Sequence, residues 1–74
     1  MYQSRGSRIV FVSGNEDMGV RAECTTTADA DRASEMLNRA GYLNDVKRKY
    51  TAAARLIAAA ETVPGFRWID HTAR

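Results

Sequence analysis

The 74-residue chain has little of what usually fastens a domain this small. Cys24 is the only cysteine, so no disulfide can close within one chain. His71 is the only histidine, and beyond it and Cys24 only carboxylates could ligate a metal. No metal or other cofactor is therefore expected. No apolar run approaches the ~20 residues a membrane span needs. The longest candidate, residues 52–60, is interrupted by Arg55. Residues 1–7 are polar and basic, and no signal-peptide-like apolar segment follows them. A lone thiol without an export signal fits a reducing compartment, so a cytoplasmic location is expected. A chain of this length buries only about 60–65% of its unfolded surface. Its core alone supplies roughly 3–5 kcal/mol. With disulfides and metals set aside, oligomerisation is the remaining source of stability, and a homodimer is expected.

The rest of the composition is that of a globular domain: 45% hydrophobic and 27% charged. The net charge is +2, and it is unevenly spread. In residues 1–25 three arginines balance three acids, residues 26–41 carry −1, and residues 42–74 carry +3. Nine arginines stand against two lysines, and there are twelve alanines. That composition resembles the small accessory proteins of actinobacteria and their phages; no motif carries the resemblance.

Along the chain, residues 1–7 read as a flexible leader and residues 8–74 as one α+β domain. Arg8 to Ser13 is a short β-branched and aromatic run suited to a strand. Gly14-Asn15-Glu16-Asp17 is a turn cluster. From Met18 the alternation is strict, with Met18, Val20, Ala22 and Cys24 on one face. Residues 8–13 and 18–25 are thus expected to pair as an antiparallel hairpin. Thr26 and Asp29 have capping-box spacing, with Thr27 as the other candidate N-cap. A helix over 27–40 follows, with Ala30, Ala33, Leu37 and Ala40 as its buried stripe. Glu35 and Arg39 are spaced to pair on its surface. Gly41 is expected to stop this helix through a Schellman turn, bringing Tyr42 against Leu37. Asn44 is the expected N-cap of a second helix over 44–62, with Asp45 spaced to pair with Lys49. Val46, Tyr50, Ala53, Ile57 and Ala60 would form its buried stripe, and Pro64-Gly65 would end it. Phe66 to His71 reads as a third strand, with an irregular tail wrapping the core as the alternative. The expected order is β-β-α-α-β, with a helical hairpin covering the sheet.

Catalytic constellations are missing. A Cys24–His71 pair is conceivable, but Cys24 sits on the apolar face of an alternating strand, where a small buried thiol is the usual occupant. Asp29-Ala30-Asp31 lacks the glycine and terminal Glu of a calcium loop. No glycine belongs to a phosphate-binding pattern. The chain is expected not to be an enzyme and to take no small-molecule substrate. Phe66-Arg67-Trp68 combines residue types that dominate interface hot spots, although Phe66 and Trp68 also suit core closure. The expected function is a binding module acting on another protein, itself included, through Arg48, Arg55, Phe66, Arg67 and Trp68. The alternative is a nucleic-acid-binding regulator using Lys47, Arg48, Lys49 and Arg55. Successive helical positions fan out by about 100°, so on a helix Lys47, Arg48 and Lys49 would not share a face.

Overall fold

Extended chain comes first because the N-terminal third is built of alternating and β-branched residues. In a computed structural model, which describes residues 1–69, the order is β1 (Tyr2–Arg5), β2 (Arg8–Ser13), β3 (Glu16–Glu23), α1 (Thr27–Asp45), α2 (Tyr50–Glu61) and β4 (Arg67–Trp68). The four strands form one antiparallel sheet in the order β1-β2-β3-β4. The α+β class and the strand-strand-helix-helix-strand layout hold, with one strand more than expected.

That extra strand replaces the leader. Tyr2 pairs with Phe11 and Ser4 with Ile9. The segment looks polar because alternate residues face water, yet Tyr2 and Ser4 point inward and are tied to α1. The Tyr2 N–H donates to Asn38 Oδ1 at 2.6 Å, and Asn38 Nδ2 donates to the Tyr2 carbonyl at 2.8 Å. The Ser4 hydroxyl donates to Asp31. Because Asn38 takes backbone groups on the open edge of β1, that edge is partly closed to further strands.

The hairpin is where the sequence places it, but β3 begins at Glu16 and ends at Glu23 rather than spanning 18–25. Its register shifts twice against β2, between Ile9 and Val10 and again between Val10 and Val12. These bulges break the alternation, so Ala22 and Cys24 are buried while Met18 is exposed. The strand expected over 66–71 is β4 and is two residues long, pairing Trp68 with Ala22 and Arg67 with Glu23. Residues 70 and 71 of that expected strand lie outside the described residues.

Helix α1 starts where the capping box puts it. The Asp29 N–H donates to Thr26 Oγ1 at 3.1 Å, and the Thr26 hydroxyl donates back to the Asp29 carboxylate. All four residues of the expected stripe are buried. The stop does not fall at Gly41. The helix runs through it to Asp45, and Gly41 keeps a helical φ. A glycine ends a helix only where the chain turns left-handed, and here that turn is at Arg48, with φ 55°. The connector is closed by Lys47 N–H to Tyr42 O and Lys49 N–H to Leu43 O. Asn44 is therefore inside α1, and α2 begins at Tyr50 instead of 44. The expected pairs Glu35–Arg39 and Asp45–Lys49 are not formed among the described residues; Asp45 instead accepts from Asn44 Nδ2.

The core lies between the sheet and α1. Ile9, Ala22 and Cys24 meet Ala30, Ala33 and Leu37, and Ala60 and Val63 close one end. Ile9 is the largest fully buried side chain. Helix α2 packs mainly on α1 through small residues, with Ala53 and Ala60 buried.

Candidate functional site

The periodicity of the second helix predicts burial for Val46, Tyr50 and Ile57. They are 61%, 58% and 38% exposed. Val46 left the helix when the break moved, and the sheet lies mostly under α1, leaving one side of α2 uncovered.

Ile57 is one wall of an apolar groove. Its floor is Leu37, Ala40 and Gly41 of α1, and Tyr2 and Trp68 of the sheet close it, enclosing about 290 Å³. A second hollow of about 310 Å³ adjoins it, sharing Tyr2, Leu37 and Gly41 and adding Met1 and Phe11. Gly41 gives the groove its depth: a side chain there would meet no atom within 4 Å. Tyr2 and Phe11 are edge-to-face at 5.0 Å, and Arg21 lies over the Phe11 ring at 5.7 Å. Trp68 Nε1 donates to Glu61 at 2.7 Å, which fixes the indole at the end of α2. With an apolar floor and aromatic ends, and Asn44, Asn38 and Asp45 as the polar groups along the two hollows, the groove can take an apolar side chain. A polar hollow between β1 and α1, bounded by Ser4, Asp31, Ser34 and Glu35, is more open.

The residues expected to bind a partner do not form one surface. Phe66 and Trp68 are half-buried against the core, edge-to-face at 5.0 Å. Arg67 is exposed and pairs with Glu23. Arg48 sits at the opposite end of α2, which at 1.5 Å per residue is about 18 Å long. Arg55 is exposed between them. The alternative set is regrouped. Lys47, Arg48 and Lys49 occupy the connector between helices, so they need not fan out as they would on a helix. Tyr42, 51% exposed, and Tyr50 flank them, with Lys47 Nζ 6.0 Å from the Tyr42 ring centre. We call this end of the molecule the elbow.

Reading the sequence alone missed Tyr2, Leu37, Gly41 and Ile57 as a group. The signal available is Ile57, a large apolar residue on an alanine-rich helix. By pattern Leu37 reads as core, Gly41 as a stop and Tyr2 as leader.

The chemistry of Cys24 is suppressed. Burial pushes its thiol upward, the Asp29 carboxylate pushes it further, and Arg32 partly opposes them. His71, its conceivable partner, lies outside the described residues. Among the described residues no group of three or more His, Cys, Asp or Glu could hold a metal ion, and no helix is long and apolar enough to cross a membrane. Comparison with protein-family models, curated proteins and solved structures finds no match to this chain.

Proposed function

We propose that this chain is a small, non-catalytic binding module acting by protein–protein interaction, with a second copy of itself as the first partner. The observation that carries the reading is Ile57. Its helical spacing marks it for burial, yet it is 38% exposed at the wall of an apolar groove. Fully burying a large aliphatic side chain is worth about 1.5–3 kcal/mol, so a partner that covers the part of Ile57 still exposed gains roughly 0.6–1 kcal/mol from it. The lone thiol supports a cytoplasmic setting. The composition supports an accessory role in an actinobacterium or its phage.

Sedimentation equilibrium across the micromolar range tests this. The wild type should dimerise with concentration, while Ile57→Asp should remain monomeric with an unchanged circular dichroism spectrum. A wild type that is monomeric throughout, or a variant that dimerises equally well, would overturn the groove as a self-association surface.

A further inference from the structure

The elbow is a separate surface with its own chemistry. Residues 42–55 carry Lys47, Arg48, Lys49 and Arg55 against Asp45 alone, a net +3, while the remaining residues sum to −1. Arg5, Arg32 and Arg67 are neutralised by Asp17, Asp29 and Glu23. None of the four elbow-side cations has an acidic partner within 4.0 Å among the described residues. The chain also places an arginine where local geometry favours glycine or asparagine: Arg48 holds φ 55° in a connector that needs a left-handed residue. A residue choice that opposes backbone preference points to a role for the side chain. Two tyrosines, 51% and 58% exposed, bracket the three basic residues.

Unpaired cations interleaved with exposed aromatic rings are what a flexible nucleic-acid strand requires: charge for its phosphates and flat faces for its bases. Lys47, Arg48 and Lys49 sit on a short connector, not along a rod that could lie in a duplex major groove. We propose that the elbow binds single-stranded nucleic acid, with Lys47, Arg48 and Lys49 on phosphates and Tyr42 and Tyr50 stacking on bases.

Fluorescence polarisation decides it, using a labelled mixed-sequence single strand of about 15 nucleotides and the matching duplex. At about 50 mM salt the single strand should bind, and three phosphate contacts should give a log–log salt slope near −2. Lys47→Ala/Lys49→Ala should lower that slope by about 1.4, and Arg48→Gly by about 0.7. Glycine accepts the φ at position 48, so the second variant keeps the fold. Tyr42→Ala/Tyr50→Ala should weaken binding by about tenfold or more with the slope unchanged. Arg8→Ala, which removes from a distant strand the same single charge that Arg48→Gly removes, should leave affinity nearly unchanged. The proposal is overturned if the single strand does not bind, if the duplex binds more tightly, or if Arg8→Ala costs as much as Arg48→Gly. None of these variants touches Ile57, so groove and elbow stand or fall separately.

Discussion

Cys24 lies in the core cluster with Ile9, Ala22 and Ala33, and that position decides its reactivity. Its thiol is held above the ordinary value of 9.0, chiefly by burial. Thiolate is the reactive form, so native protein should react with a thiol reagent far more slowly than denatured protein. Equal rates would mean the thiol is accessible. The same shift sets a pH dependence. Between the unfolded and folded values the unfolded chain has lost more protons than the folded one. Stability from this group is complete below about pH 9 and declines as pH rises through the folded value. Cys24→Ala should therefore lose less stability than wild type above about pH 9, read as urea midpoints. Gly65 is constrained more tightly. Its φ is +74°, and a side chain there would strike the Thr25 hydroxyl and lie 2.7 Å from the Thr25 backbone nitrogen. Gly65→Ala should cost about 2 kcal/mol or more, roughly 10 °C in Tm for a domain this size. A Tm within experimental error of wild type would show that the loop relaxes freely.

Among the elements, α1 separates what local sequence decides from what packing decides. Its start was legible because Thr26 and Asp29 satisfy each other within three residues. Its end was not, because Gly41 permits a stop without enforcing one, and packing against α2 carries the helix past it. The real break has no glycine or proline to announce it; it is borne by Arg48. As a mid-helix glycine facing open space, Gly41 costs stability. Gly41→Ala should raise stability by roughly 0.5–1 kcal/mol while making the groove shallower and weakening the proposed self-association. A gain in both would argue that the groove is not the contact surface. Strand β1 was illegible for a different reason. Its anchor, Asn38, is 36 positions away in sequence, and no pattern within Tyr2–Arg5 encodes a partner at that range. Asn38→Ala should leave two edge groups of Tyr2 without their side-chain partner and cost about 1–2 kcal/mol. Amide exchange should then quicken in residues 2–5, with little change in β3. The exposed stripe of α2 is the converse case. Period alone marks Tyr50 and Ile57 as buried, but burial also needs a surface to meet, and the sheet lies mainly under α1.

At the scale of the whole molecule, a sheet and two helices converge on very few large side chains. Most of the core is alanine, and Ile9 is the largest residue with no solvent exposure. It sits mid-sheet, between Ser4 on β1 and Ala22 on β3, with Trp68 on the far side of Ala22. A domain of this size is stable by roughly 3–5 kcal/mol. Ile9→Ala, at about 2–5 kcal/mol, is then comparable with the whole of it and should abolish most cooperative unfolding. Ile9→Val, at about 1 kcal/mol, should keep the transition and lower Tm by roughly 4–8 °C. The proposed self-association would add a term that depends on concentration, because a partner that binds only the folded state raises apparent stability. Wild-type Tm should therefore rise with protein concentration. In Ile57→Asp that rise should vanish, while the drop caused by Ile9→Val remains when the two changes are combined. If Ile57→Asp instead lowers Tm equally at every concentration, Ile57 contributes to the monomer's own core and its exposure is not the mark of a docking surface.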